Sequence, residues 1–345
     1  MEKLETMIAI RQKYYQNEIL PKVTLVKEQH NALLIETNDC HDLLTKLPEE
    51  IPQFITVKSV GTFKLTNNHN NGRLAGKVII VTGSAQGFGL GIAQELLKEG
   101  AYLVFADLNL EEAKKNAEAA NSLYQEGTAI ALACDVSKEE SVEKLINDTV
   151  EFFGGIDVFI SNAGILISGA LEDLTIEQFE LVTIVNYTAY FICAKYVSSI
   201  MKLQYKYNPL ITNDIIQINS KSGLEGSNKN SAYAGSKFGG VGLTQSFAKE
   251  LVEFNIKVNS ICPGNYYEGP LWSNPEKGLF VQYLKAGKVP GAKTIEEVKE
   301  SYILKVPMKR GCYPSDVVKA ILYCIEQKYE TGQAIPVTGG QNMLR

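Results

Sequence analysis

A doubly wound α/β fold, with a parallel sheet covered by helices on both faces, is what this sequence predicts. Three observations predict it. Short apolar runs recur at 77–82, 101–106, 128–134, 156–161, 214–219 and 256–262, the pattern of strands buried on both faces. Helix-like segments separate these runs, and strand–helix alternation implies parallel pairing through crossovers. The first run passes directly into a glycine-rich turn, Gly83-Ser-Ala-Gln86-Gly87-Phe88-Gly89, and then into a helical segment reaching Lys98.

Composition bounds the rest. The 345 residues suffice for one large domain plus an appendage, and 45% hydrophobic with 21% charged residues fits a soluble globular protein. The net charge of -5 offers no positive excess to draw nucleic acid or anionic lipid. No apolar run approaches the roughly 18 residues a membrane span needs, and the charged N-terminus lacks a secretory apolar core. The six cysteines are far apart without a Cys-x-x-Cys pair, so no metal site or disulfide framework is expected. A reducing cytoplasm is the natural inference.

Taken in order, residues 1–73 read as a separate, small α/β appendage of unassigned role. A polar amphipathic helix is expected first, then a strand at 32–36, a helix capped by Asn38 or Asp39, and a strand at 54–58. The segment 66–72 is a polar, turn-forming linker. His30, His41 and His69, the only histidines, have no metal-ligand spacing and are expected to face solvent. The second region, 74–345, carries the alternating strands and closes with a strand-like stretch at 334–338.

The glycine turn is a candidate phosphate cradle. Gly83 permits the tight turn, Gly87 close approach of the backbone, and Gly89 packing of the helix on the strand. The unpaired N–H groups at a helix start receive a pyrophosphate. Strand, turn and helix together are the context that a Rossmann-type dinucleotide site requires. Asp107, at the end of the second strand, is placed to bond adenosine ribose hydroxyls and to repel a 2′-phosphate, which favours NAD over NADP. Helix capping is the alternative role for the same aspartate.

A second constellation lies at Ser231-Ala-Tyr233-Ala-Gly-Ser-Lys237. Of the 17 tyrosines, only Tyr233 has a lysine four residues later, which puts both side chains on one helical face. A nearby cation favours the phenolate, so Lys237 is expected to lower the Tyr233 pKa and make it a general acid/base.

From about residue 74 onward the chain resembles the short-chain dehydrogenase/reductase family. The resemblance rests on Thr82-Gly83-x-x-x-Gly87-x-Gly89, Asp135-Val136, Asn162-Ala163-Gly164, Asn186, Ser220 thirteen positions before Tyr233, and Pro263-Gly264. It implies catalysis by Asn186, Ser220, Tyr233 and Lys237. Ser220 would polarise the substrate oxygen, Lys237 would hold the nicotinamide ribose, and Asn186 would anchor a relay water. Ser222 is the alternative to Ser220, and a buried kink residue is the alternative role of Asn186. The resemblance further implies cofactor contacts from the glycine turn with Gln86 and Phe88, and from Asp107, Asp135, Val136, 162–164, Tyr233, Lys237, Pro263 and Gly264. A homodimer or homotetramer is expected on the same ground.

The stretches 217–223, 237–245, 305–312 and 337–341, with Gly264-Asn265, resemble the polyol-phosphate dehydrogenases of that family. They imply reversible NAD-dependent oxidation of a sugar-alcohol phosphate to a keto-sugar phosphate. Dehydrogenation of an unphosphorylated polyol and non-catalytic NAD sensing are the alternatives. Residues 265–268, Asn-Tyr-Tyr-Glu, lack the family's usual threonine after Pro-Gly. The long segment 265–310 is expected to be a substrate lid with helices near 276–286 and 294–304. Ser222 and Asn265 are further substrate candidates. Lys221, Lys229, Lys305, Lys309 and Arg310 are candidates for a substrate phosphate, Arg310 first because its fork matches phosphate geometry.

Overall fold

The computed structural model describes residues 2–15, 20–66, 71–285 and 287–343. The chain opens with helix α1 (Lys3–Lys13), strands β1 (Lys22–Val26) and β2 (Leu33–Ile35), helix α2 (Cys40–Lys46), and strands β3 (Phe54–Val57) and β4 (Gly61–Thr66). The four strands form their own sheet, ordered β1-β4-β3-β2, with only β2 and β3 parallel. Asp39 caps α2, its carboxylate accepting from the Asp42 N–H at 2.8 Å. The sequence reading places neither β1 nor β4. The β3–β4 turn carries no Asn-Gly signal; instead Ser59 adopts the left-handed region at φ 65°. Most of the expected 66–72 linker, with His69, lies outside the described residues, and His30 and His41 are exposed.

α1 is not the solvent-facing amphipathic helix that its polar residues suggest, because Thr6 through Gln12 are all buried. Met7, Ile10 and Tyr14 pack with Val23, Ile55 and Phe63 in the core of the N-terminal sheet. Ile8 points the other way, into the main core beside Val78, Tyr102 and Phe153. Burying it contributes about 2 kcal/mol to holding the two parts together. Arg11 sits between them, and its guanidinium binds both carboxylate oxygens of Asp157 at 3.1 and 2.7 Å and the carbonyls of Pro21 and Gly76. Burial pushes Asp157 up, but the Arg11 guanidinium outweighs it and holds the carboxyl below its usual range.

The main sheet begins with β5 (Val78–Thr82), α3 (Gly87–Lys98), β6 (Tyr102–Asp107), α4 (Leu110–Leu123), β7 (Ala129–Ala133), α5 (Glu139–Phe153) and β8 (Val158–Ser161). It continues through α6 (Ile176–Thr183), a π-helical turn at Ile184–Thr188, α7 (Ala189–Tyr207), β9 (Asn213–Ile218), α8 (Ser231–Leu251) and β10 (Ile256–Pro263). Three helices follow, α9 (Pro270–Ser273), α10 (Leu279–Lys285) and α11 (Ile295–Leu304), and then α12 (Pro314–Glu326) and β11 (Ala334–Val337). The strands order as β11-β10-β9-β8-β5-β6-β7, and every pair is parallel. This is the doubly wound, Rossmann-type sheet that the alternation predicts. Its strand order reverses between β5 and β8, and ligands of such sheets bind outside the strands' carboxyl ends at that point.

The segment 265–310 contains α9 in addition to the two helices expected, and residue 286, the last of the first expected helix, lies outside the described residues. Tyr267, Trp272, Leu279, Phe280, Val298 and Val306 form a small core of their own there. Trp272 meets Tyr267 and Phe280 with ring centroids 5.0 Å apart in each case. The segment is therefore a packed unit rather than an open loop.

Candidate active site

The glycine turn and Asp107, Asn162, Ser220, Tyr233 and Lys237 fall at the carboxyl ends of the sheet strands or on the helices that follow them. Gly83 follows β5 at φ +65°, and a Cβ there would lie 2.9 Å from the Ala163 Cα. A Cβ on Gly89 would lie 2.0 Å from the Gly83 carbonyl oxygen and 2.6 Å from Asn162 Nδ2, so α3 starts against the turn itself. The turn is held from β8: Asn162 Nδ2 donates to the carbonyls of Thr82 and Gly83 at 2.8 and 3.1 Å. The Thr82 hydroxyl accepts from the N–H groups of Asn162 and Ala163 at 3.0 and 3.1 Å. That hydroxyl bridge goes beyond the sequence reading, which quotes Thr82 only as part of a motif. Its signal was a β-branched polar residue ending an apolar strand.

Gln86 is the residue before α3, and the Phe88 ring packs 5.0 Å from that of Tyr266. Asp107 ends β6, and its two carboxylate oxygens accept from the N–H groups of Ala85 and Asn109 at 2.8 and 2.9 Å. The carboxylate thus ties the glycine turn to the second strand while keeping further lone pairs for a ribose. Asp135 accepts from Ser137 through its N–H and hydroxyl, and Val136 beside it is buried. The Gly264 N–H, just past Pro263, donates to the Val337 carbonyl at 2.9 Å. These groups line the strand ends around β5, the arrangement a dinucleotide requires.

Ser220 follows β9 and caps the 3-10 turn Lys221–Gly223, its hydroxyl accepting from the Ser222 N–H at 3.1 Å. Tyr233 stands in the first turn of α8, close enough to Ser220 for a side-chain hydrogen bond that favours the phenolate. Lys237, 4% exposed, lies one turn on with its ammonium 5.6 Å from the Tyr233 ring centroid, and donates to the Ile218 carbonyl at 3.0 Å. Asn186 occupies the π-helical turn. Its amide binds both backbone groups of Ile165 at 2.8 Å and the Ser236 hydroxyl at 3.2 Å. Hydrogen bonds from Asn186 therefore reach the loop after β8 and the helix that carries Tyr233. Insertions of this π type are frequent at functional sites.

The electrostatics differ from expectation in one respect. Burial raises the Tyr233 pKa above its ordinary value, against the lowering influence of Ser220. Burial also pushes Lys237 down, to about 8. Desolvation disfavours the charged form of each group, and the lowering of Tyr233 by Lys237 anticipated from their spacing is not among the influences on it.

The substrate candidates divide. Ser222 is buried behind Ser220. Asn265 donates to the Tyr267 hydroxyl at 3.2 Å, which ties it to the small core of the 265–310 segment. Arg310 grips Asp316 with both arms at 2.6 and 2.9 Å and lines a cleft with Gly264 and Gly339. Lys309 donates to the Leu304 carbonyl at 2.7 Å. Lys221 stands on the serine turn and Lys305 at the end of α11.

Comparison with known proteins agrees with this layout. The family model for short chain dehydrogenases matches residues 77–274. Sorbitol-6-phosphate 2-dehydrogenase of Escherichia coli (strain K12) is 38% identical over 271 residues, covering 78% of this chain and 99% of that protein. Trans-4-hydroxycyclohexanecarboxylate dehydrogenase of Sinomonas cyclohexanicum is 29% identical over 275 residues, covering 78% and 94%. A crystal structure of sorbitol-6-phosphate 2-dehydrogenase from Erwinia amylovora shares the fold at a TM-score of 0.70 with 38% identity, covering 77% of this chain and 100% of that one. With parallel sheet, glycine turn and matched sequence in agreement, the chain belongs to the short-chain dehydrogenase/reductase family of oxidoreductases.

Proposed function

We propose that the protein is an NAD-dependent dehydrogenase that interconverts a sugar-alcohol phosphate and a keto-sugar phosphate, sorbitol 6-phosphate and fructose 6-phosphate being the pair favoured. The observation that carries the reading is the juxtaposition of Ser220, Tyr233 and Lys237 beyond the carboxyl ends of the central strands. The 38% identity to a sorbitol-6-phosphate 2-dehydrogenase supports the substrate class.

The residues fit the cofactor, since the glycine turn leaves no room for a Cβ at Gly83 or Gly89 and Asp107 stands at the end of β6. Gly83 to Gly89 would hold the pyrophosphate, Asp107 the adenosine ribose, and Asn162 to Gly164 the nicotinamide side. When bound, NAD supplies the hydride acceptor. Tyr233 takes the proton from the substrate hydroxyl, and Ser220 donates a hydrogen bond to that oxygen as it becomes a carbonyl. Lys237 lies alongside to stabilise the phenolate once it is charged. Asn186 holds the backbone at Ile165 and the α8 residue Ser236 in register with the site.

Self-association is part of the proposal. Phe179, Leu181, Ile184, Phe191 and Phe238, on α6, the π-helical turn, α7 and α8, are all exposed, an apolar surface that suits a subunit contact. Light scattering of the eluting protein at twice or four times 38.0 kDa is the expected result. The function is tested by following NADH formation across a panel of hexitol phosphates and free hexitols, with Tyr233→Phe as the control. Turnover of free hexitols alone would shift the reading to an unphosphorylated polyol, an alternative favoured by the engagement of Arg310 with Asp316.

A further inference from the structure

We infer that the substrate phosphate is recognised by Lys221 on the serine turn, supported from the lid by Lys305, and not by the arginine fork of Arg310. The inference rests on the sugar-alcohol phosphate reading above and names the site of that recognition.

Two of the other candidate cations already have polar partners. Arg310 holds Asp316 with both arms and also donates to the Gly311 carbonyl at 2.8 Å. Lys309 is bound to the Leu304 carbonyl. Lys288 and Lys305 stand over the Tyr283 and Tyr302 rings, 3.9 and 4.4 Å from the centroids, and neither pairs with a carboxylate among the described residues. Lys221 is half-buried, yet among the described residues its ammonium has neither a hydrogen bond nor an ion pair. Glu225, the carboxylate near it, accepts from Asn342 Nδ2 at 2.6 Å.

The distribution of charge points the same way. Lys305 of the lid is near enough to Lys221 to repel it, and Lys229 of the serine–tyrosine loop is near enough to repel Lys288. Each like-charged pair thus joins the loop between Ser220 and Tyr233 to the lid. Desolvation lowers the Lys221 pKa, and Glu225 opposes it more strongly than the smaller influence of Lys305 adds to it. A half-buried ammonium without a hydrogen bond or ion pair is unfavourable by itself and is relieved by an anionic ligand. The position is also right for the chemistry. Lys221 adjoins Ser220, so a substrate with its carbinol at Ser220 and Tyr233 has this turn within reach of its far end.

The test is the ratio of kcat/KM for sorbitol 6-phosphate to kcat/KM for sorbitol, measured for wild type, Lys221→Gln, Lys305→Gln and Arg310→Gln. A wild-type enzyme without preference for the phosphorylated substrate removes the underlying reading, and the inference with it. Given that preference, Lys221→Gln is expected to lower the ratio by about 10- to 100-fold through KM, the loss typical of one charged hydrogen bond, with a smaller drop for Lys305→Gln. Lys221→Arg, which keeps the charge, is expected to recover most of the ratio and guards against misfolding as the cause. Inorganic phosphate, as a competitive inhibitor, should bind correspondingly more weakly to Lys221→Gln. An unchanged ratio in Lys221→Gln, equal losses on both substrates, or collapse of the ratio in Arg310→Gln alone would overturn the assignment.

Discussion

Replacing Arg11 with methionine should destabilise the protein by about 3–5 kcal/mol, because it removes one partner from a buried ion pair. Arg11 is fully buried and Asp157 is 2% exposed, so water cannot replace the lost guanidinium. Two acceptors, the Pro21 and Gly76 carbonyls, lose their donor as well. The Val78 N–H remains on Asp157 at 2.7 Å, which leaves the carboxylate partly satisfied and keeps the loss within that range. At roughly 2 °C per kcal/mol for a chain of this size, the melting temperature should fall by about 6–10 °C. The sign of the pH dependence is fixed by the same pair. Asp157 has a lowered folded-state pKa, so its stabilisation is present above the unfolded value near about 3.9 and is lost as pH falls through the folded value. In Arg11→Met the burial that opposes ionisation is no longer outweighed, and Asp157 takes up a proton on mild acidification. The gap between wild type and variant should therefore narrow as pH falls from 7 to 5. Urea unfolding at both pH values measures this, and Arg11→Met combined with Asp157→Asn should recover at least about 2 kcal/mol of the loss. A single variant within 1 kcal/mol of wild type, or a double variant no better than the single, would refute the reasoning.

At the site itself, Tyr233→Phe should lower kcat by about 10²–10⁴-fold while NADH still binds, checked by fluorescence titration beside steady-state rates. Because burial raises the Tyr233 pKa, alcohol oxidation should accelerate with pH through the alkaline range and carbonyl reduction should slow. A pH–rate profile flat from 7 to 10 in both directions would contradict this. Asp107→Ala should narrow the preference for NAD over NADP by at least about tenfold in kcat/KM, since it removes the charge facing a 2′-phosphate. It should also loosen the glycine turn, whose Ala85 N–H it holds, so the Michaelis constant for NAD should rise with it.

Much of this architecture was legible because it depends on local chemistry. The six apolar runs became parallel strands within a residue or two, since a strand buried on both faces has little choice but Val, Ile, Leu and Phe. Gly83 and Gly89 were legible for the same reason, being positions where the backbone excludes a side chain. What escaped was long-range. Nothing near Arg11 in sequence announces a partner 146 residues away, and its charge made a buried helix look like a surface one. Arg310 read as an available phosphate fork because Asp316, six residues on, gives no sign in sequence that it turns back to meet it. The raised Tyr233 pKa escaped too. The spacing to Lys237 is local, whereas the desolvation that raises the pKa depends on burial, which local sequence does not show.

The position of the N-terminal unit follows from the polarity of a parallel sheet. All seven strands run one way, so one edge collects their starts and the other their ends. The chemistry-bearing groups occupy the ends. The N-terminal unit instead grips the starts: Arg11 reaches Gly76 and Asp157 just ahead of β5 and β8, and Lys22 donates to the Gly127 carbonyl ahead of β7 at 3.0 Å. The Thr24 hydroxyl adds a bond to the Phe152 carbonyl at the end of α5. A unit fixed there restrains the two strands that flank the topological switch point without entering the cleft between them. Its effect is therefore expected in the stability of the sheet and not in the choice of alcohol, since the serine turn lies at the opposite edge.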